Sequence, residues 1–427
     1  MRGDAGGESR HRRQEQVLLL ISGAYLMTGM IVLYLETGRS GWPMLVAGLM
    51  TATAFFMISA FWAKSGYRAD PCLLPVVAAL TATGLVFLYR LDPVYGTRQF
   101  VWLLIGLGAM ALTTRFLVDF RFLSDYKYIY ALAGLLALVL PIFFGREQGG
   151  AKSWLSFGLF SVQPSEFVKI LVVLFLAAYL SENRAVLSAG TRLTGRISLP
   201  GAQEWGPLVC MWGVSLALLI FQRDLGTGLI YFSTFLAMVY TATSRLLYTA
   251  FGMAMFLAGS AASYFFFDHV RARLEIWLNP WPYIDTAGYQ VIQSLFAFGS
   301  GGVLGTGLDQ GYPKFIPAVH TDFIFAAIGE EMGLLGGTCV ILLFMVLVYR
   351  GIRISLQARD EFAALAAAGF SALLGLQSFV IIGGVIGLLP LTGVTLPFMS
   401  YGGSSLVANF ILLGLLLNIS HEAAGFL

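Results

Sequence analysis

The sequence predicts an all-α fold, a polytopic bundle of membrane helices, and three observations predict it. The chain is 58% hydrophobic and 11% charged, whereas soluble domains run near roughly 45–50% and about 25%. Its mean hydropathy is +0.78. Its apolar residues fall in long continuous runs, not in the alternating segments of roughly ten residues that make a membrane barrel.

The N-terminal MRGDAGGESRHRRQEQ is polar and basic, and an apolar run from Val17 to Leu35 follows. That run is long enough to span a bilayer and lacks the short core and small-residue cleavage site of a signal peptide, so it reads as an uncleaved first helix. Windows of about 17–25 apolar residues place further spans near 42–63, 71–89, 99–118, 128–144, 165–181, 205–221, 225–243, 246–267, 322–349, 362–389 and 398–419. About twelve spans result. The seventh and eighth are separated only by Gln222, Arg223 and Asp224. With alternating loops, most Lys and Arg fall on the N-terminal side, which by the positive-inside bias places both termini in the cytoplasm. Residues 268–321 then form a large extracytoplasmic loop. No repeat, low-complexity tract or long linker interrupts the chain, so one membrane domain is expected. Cys72, Cys210 and Cys339 lie in apolar segments without disulfide or metal-ligand spacing and read as small core residues.

The loop carries the most unusual stretch, WLNPWPYIDTAGYQVIQS from Trp277 to Ser294, polar and aromatic with a single carboxylate, Asp285. Tyr289 to Phe298 has one apolar side (Val291, Ile292, Leu295, Phe296, Phe298) opposite Gln290, Gln293 and Ser294. It suits either the membrane interface or packing against the bundle. GSGGVLGTGLDQG, Gly299 to Gly311, lacks the Gly-Lys-Ser/Thr of a nucleotide-binding loop and reads as a flexible turn.

Several cations lie on the same predicted face: Arg90 and Arg98 around LDPVYGT, Arg146 and Lys152 in GREQGGAKSW beside Trp154, Arg223 with Asp224 in FQRDLGTG, then Arg271, Arg273 and Lys314. Positive charge on the outer side runs against the usual bias. An anionic ligand such as a lipid-linked phosphate accounts for it, since Arg and Lys bind phosphate through charge-assisted hydrogen bonds. Headgroup anchoring or pairing with neighbouring acids is the alternative for any one of them. In IPAVHTDFIFAAIGEEMG, Thr321 or Asp322 is placed to cap the tenth span, while Glu330 and Glu331 fall two turns inside it, where a carboxylate faces a cavity or a partner. His320, Asp322 and Glu330 lack a recognisable metal-ligand spacing. No cofactor is identified, and a divalent-cation requirement leaves no mark in the residues. Glu166 and Lys169 of QPSEFVK read as a local i,i+3 ion pair. GLLPLTGVTLPFMSYGGSS, with Ser400 and Ser404, breaks the apolar pattern with Pro390, Pro397 and paired glycines, and bounds either a groove or a tight hairpin.

A single carboxylate fits one chemistry. Hydrolysis of an ordinary glycoside needs two carboxyl groups. A sugar on a lipid diphosphate already has a good leaving group, whose developing charge nearby cations stabilise. Only the attacking hydroxyl then requires a base, and Asp285 is placed for that role; capping a turn before Thr286 is the alternative.

Taken in order, GAKSWLSFG, QPSEFVK, DLGTG, NPW followed by GYQ, HTDFIFA and LPFMSYGGSS resemble the SEDS family of FtsW, RodA and SpoVE type, bacterial membrane glycosyltransferases that polymerise lipid II into peptidoglycan. The resemblance runs from about Arg98 to the C-terminus. It implies a ten-helix core within residues 71–427, so that residues 1–70, with two helices, are an addition. It implies a catalytic aspartate in the large loop, supporting polar residues among Asp224, Gln290, His320, Asp322, Glu330, Ser400 and Ser404, and a class B penicillin-binding transpeptidase as working partner. The partners implied are lipid II, that transpeptidase and membrane lipid, with no nucleic acid. The chain departs from the pattern in places. Tyr283 stands in the register of the family's loop aspartate, two residues before Asp285; Ser153 replaces the arginine of GAxRW; and Arg223 replaces a proline.

Three functions remain at this level: a lipid II polymerase serving division, elongation or sporulation, a flippase for the same lipid, and a non-catalytic scaffold for a transpeptidase. The concentration of polar motifs outside the spans favours the enzyme.

Overall fold

The computed structural model describes residues 5–37, 41–117, 119–148, 151–156, 158, 161–189, 191–194, 197–199 and 202–424. In chain order the helices are α1 (Ala5–Thr37), α2 (Trp42–Ser65), α3 (Leu73–Leu91), α4 (Pro93–Phe116), α5 (Lys127–Phe144), α6 (Pro164–Ala189), α7 (Ala202–Phe221), α8 (Leu225–Thr243), α9 (Leu246–Phe266), α10 (Asp268–Leu278), α11 (Tyr289–Gly301), α12 (Ile324–Glu331), α13 (Gly333–Gln357), α14 (Glu361–Val385) and α15 (Gly403–Ala424). Among the described residues 11 helices are long and apolar enough to cross a membrane, and α7 adds a shorter apolar stretch, Val209–Phe221. Each predicted span thus finds its helix. The tenth is shorter than the sequence suggests: it starts at Gly333, which sits at φ +63 and separates α12 from α13. Glu330 and Glu331 therefore lie before the span.

Local signals set the boundaries. Asp92 accepts a hydrogen bond from Val94 N (2.8 Å) with Pro93 in the first turn, which starts α4. Gly66, left-handed at φ 70, closes α2 by returning its N–H to Trp62 O. Asp224 starts α8 by accepting from Thr227 N (3.2 Å). The expected all-α fold carries short strands as well. β1 (Arg146–Gln148), β2 (Ala151–Ser156) and β3 (Ser161–Val162) form one antiparallel sheet, with β4 (Thr191–Thr194) and β5 (Ile197–Leu199) in a second. They link α5 to α6 and α6 to α7, segments too short for sequence periodicity to resolve.

The chain divides into two compact units. Unit 1 comprises Met1–Val118, Arg273–Arg350 and Gln377–Leu427; unit 2 comprises Asp119–Ala272 and Gly351–Leu376. In unit 1, α3 and α15 are almost wholly buried, α15 packs on α4, and α1 packs on α2 and α3. The N-terminal helices keep apolar outer faces, Leu20, Ile21, Leu35 and Met57 among them, as lipid contact requires. Polar fasteners hold them to the rest of the unit. Tyr67, after α2, donates to Asn418 Oδ1 (2.7 Å), and Asn418 donates in turn to Thr113 O (3.0 Å). In unit 2, α6 is central and packs on α5, α7 and α8, while α9 leaves most of its surface exposed. Cys210 and Cys339 are also exposed, correcting their reading as core residues.

Candidate functional site

In unit 1 three sequence motifs are laced together by backbone hydrogen bonds. Tyr401 N donates to His320 O (2.8 Å), and the Ser400 hydroxyl donates to Thr321 O while accepting from Leu396 N (2.9 Å). Gln99 of α4 donates to Ser400 O (3.0 Å) and accepts from Gly402 N (3.3 Å). Ser404, buried in the first turn of α15, completes this segment. The His320–Asp322 corner is thereby fixed against residues 396–402. Neither Thr321 nor Asp322 caps α12, whose N-cap is Phe323. Burial pushes the Asp322 carboxyl up to about 6, against the opposing influence of the Thr321 hydroxyl and the Arg273 charge. Arg273, on α10, donates to Thr392 O (3.4 Å). Burial likewise lowers the His320 imidazole, with the Asp92 charge acting in the other direction.

The stretch Trp277–Ser294, with its single carboxylate, also belongs to unit 1. Trp277 Nε1 donates to Gly387 O (2.9 Å), and Tyr283, in a short 3₁₀ turn, donates its hydroxyl to Glu275 Oε2 (3.0 Å). Asp285 follows that turn, exposed, and its side chain has no hydrogen-bond or ion-pair partner among the described residues. It does not cap α11, whose N-cap is Gly288 with no side-chain cap bond. Gln290 lies half-buried in the first turn of α11, and α11 packs inward through Ile292 and Ser294, whose hydroxyl donates to Val385 O (3.0 Å). Lys314 is exposed without a side-chain partner among the described residues, as is Arg98.

Glu330 and Glu331 serve the loop's architecture. Glu330 accepts from Tyr312 N (2.8 Å), and Glu331 accepts from Asp309 N (3.2 Å) and from Arg90 Nε (3.0 Å). Arg90 also pairs with Asp309 and donates to Gly311 O (2.9 Å). The glycine segment is therefore pinned, not flexible. A Cβ at Gly301 would fall against Gly329 O, and one at Gly305 (φ +85) against Glu331 O. Arg90 is consumed in this knot, so it is not available as a ligand-binding cation.

Unit 2 holds a second polar cluster. Lys152 N donates to Gln222 O (3.0 Å), which ties β2 to the turn between α7 and α8. Arg223 stands in that turn at φ +60, exposed and without a side-chain partner among the described residues. Lys152 donates its ammonium to Ile142 O (2.9 Å), and Trp154, half-buried, pairs in register with Arg146. The side chain of Arg146 lies outside the described residues. Asp224 is buried and accepts from Gln163 Nε2 (3.0 Å); burial raises its carboxyl. The predicted Glu166–Lys169 pair is present at 2.7 Å, both side chains buried. Arg271, also in unit 2, is exposed and lies over the Tyr264 ring at 5.7 Å.

Thus Arg273, His320, Asp322, Ser400 and Ser404 are gathered in unit 1 with the segments bearing Asp285, Gln290 and Lys314, whereas Lys152, Trp154, Arg223, Asp224 and Arg271 belong to unit 2. Among the described residues no group of three or more His, Cys, Asp or Glu side chains is placed to hold a metal ion. Sequence reasoning missed Tyr95, whose ring stacks on His320, and Tyr401, whose ring is tilted against it; the motif spacing held no sign of that meeting.

Many membrane-length helices, with polar motifs at their ends, define a polytopic helical membrane protein. The family model for FtsW, RodA and SpoVE, described as cell cycle protein, matches residues 70–425, and the chain belongs to that family. It is 42% identical over 428 residues to "Peptidoglycan glycosyltransferase RodA" of Mycobacterium bovis, covering 96% of this chain and 91% of the relative. It is 35% identical over 377 residues to "Probable peptidoglycan glycosyltransferase FtsW" of Geobacter metallireducens, covering 84% and 96%. Among solved structures it resembles a chain from a study of polymerization and crosslinking by a peptidoglycan synthase complex, with TM-score 0.70, 30% identity, and coverage of 83% of this chain and 98% of that one. Rod shape determining protein RodA of Thermus thermophilus gives TM-score 0.59 at 28% identity, covering 83% and 97%. The chain is a membrane glycosyltransferase of cell-wall synthesis.

Proposed function

We propose that this protein polymerises lipid II into glycan strands at the outer face of the cytoplasmic membrane, with Asp285 as general base. The observation that carries the assignment is the state of Asp285, exposed in the large loop with no side-chain partner among the described residues and so open to substrate. As the acceptor hydroxyl attacks the anomeric carbon of the donor, its proton passes to Asp285. The bond from that carbon to the diphosphate breaks, and the lipid diphosphate leaves with the electron pair. Arg273 and Lys314, in the same unit as Asp285, are the candidate cations for the diphosphate charge. Both termini lie in the cytoplasm in this reading, as the distribution of Lys and Arg supports. A class B penicillin-binding transpeptidase is the working partner, a reading supported by the similarity to a complex that joins polymerization and crosslinking.

One observation favours a second assignment of the base. Asp322 is pushed up to about 6, and a base works best with a pKa near the operating pH. The test is polymerisation of lipid II by the purified protein with its transpeptidase, for wild type, Asp285→Ala and Asp322→Asn. Losing a general base costs about 10²–10⁴ in rate. A folded Asp285→Ala variant with wild-type rate sinks the first assignment, and if only Asp322→Asn is inactive the base is Asp322. A wild-type protein that makes no glycan alongside its partner returns the flippase and scaffold readings.

A further inference from the structure

Three aromatic rings in unit 1 come from three separate segments and form one cluster. Tyr95, in the first turn of α4, stacks on His320 with ring centroids 4.1 Å apart and planes 9° from parallel. Tyr401 lies 5.0 Å from Tyr95 and 5.9 Å from His320. The backbone fixes two of the three rings: Tyr401 N donates to His320 O (2.8 Å). All three residues are half-buried. Neither phenol hydroxyl nor either imidazole nitrogen has a hydrogen-bond partner among the described residues. Interfacial anchoring tyrosines present their rings to lipid. These rings are spent on one another, leaving an edge of donors and acceptors without partners among the described residues.

The chemistry of that edge selects its ligand. Each phenol both donates and accepts, and an imidazole kept neutral by burial offers one donor and one acceptor. The ring cluster contains no cation, which argues against phosphate; Asp92, the nearby charge acting on His320, is an anion. A neutral, polyhydroxylated ligand whose hydroxyls both donate and accept matches that edge. We propose that the Tyr95–His320–Tyr401 cluster is a sugar-recognition subsite that holds a pyranose ring of the lipid-linked saccharide. The assignment rests on the reading of the chain as a lipid II polymerase, but its test does not require turnover.

Binding of lipid II and of undecaprenyl diphosphate, which shares the lipid and the charge but has no sugar, would be measured on the full-length protein. The proteins compared are wild type, Tyr95→Phe, Tyr401→Phe and the double variant. Phenylalanine keeps each ring and its stacking and removes only the hydroxyl. Each lost hydrogen bond is expected to weaken lipid II binding about 2- to 10-fold, with undecaprenyl diphosphate binding unchanged. His320→Gln, which removes the ring, should also lose lipid II selectively. Wild-type lipid II affinity in the double variant overturns the proposal, and so does an equal loss for both ligands. If the Tyr→Phe losses fall on lipid II alone yet wild type makes no glycan, the polymerase reading fails while the subsite stands.

Discussion

Arg90 and Glu331 form an ion pair at 3.0 Å with only 8% and 0% of their side chains exposed. The pair joins the last turn of α3 to the end of α12, and Asp309 and Gly311 of the glycine segment bind the same guanidinium. A buried pair of this kind adds little over an apolar replacement, but breaking it strands a charge. Arg90→Met is therefore expected to cost roughly 3–5 kcal/mol and to loosen the segment from Gly299 to Gly311. Unfolding in detergent, with limited proteolysis of that segment, measures both. Wild-type stability together with wild-type cleavage would remove the knot from the account of the loop.

Asp322 gives a pH prediction whose sign follows from burial. Its carboxyl is about 6 in the folded protein, against about 3.9 for an aspartate in an unfolded chain. The folded state therefore holds the proton more tightly. Asp322 favours folding most below about pH 4, and this contribution is lost as pH rises through about 6. Above that, the ionised side chain costs stability on the order of 1–3 kcal/mol relative to a neutral one. Asp322→Asn should match wild type near pH 4 and exceed it at pH 8, as read by unfolding across the range. Identical pH dependence in the two proteins would contradict the burial argument.

The Lys169–Glu166 pair, 2.7 Å long and buried in α6, lies in the same cluster as Asp224. Lys169→Met leaves Glu166 without its counter-charge and is expected to cost about 3–5 kcal/mol. Adding Glu166→Gln should restore much of that loss, because the stranded charge is gone. A double-mutant cycle on unfolding free energies reads the coupling; simple additivity would mean that the two residues act independently.

Much of the fold was legible because a bilayer permits few solutions. Backbone groups in hydrocarbon must bond within the segment, so long apolar runs such as 73–91 and 403–424 become helices whatever they pack against. The Glu166–Lys169 pair was equally readable, since i,i+3 neighbours meet on any helix. The site was legible in its residue types and not in its partnerships. Asp285 stood out as the one carboxylate of the stretch Trp277–Ser294, yet nothing in its neighbours indicated that Tyr283, in the family's aspartate register, would turn to Glu275 and leave Asp285 exposed. Arg90 looked like a free outer cation because its acids, Asp309 and Glu331, lie more than two hundred residues further along the chain.

The sequence by itself determined the class of protein, its spans and the family it resembles, because hydrophobic length and local motif order are properties of contiguous residues. Tertiary structure decided which charges are spent and which are free. Arg90 and Glu331 neutralise each other, Lys152 caps the end of α5, and Arg223 and Lys314 keep side chains without partners among the described residues. It also decided that Tyr95, His320 and Tyr401 form one ring cluster. Burial and pairing depend on distances between segments remote in sequence, and those exist only once the helices have packed.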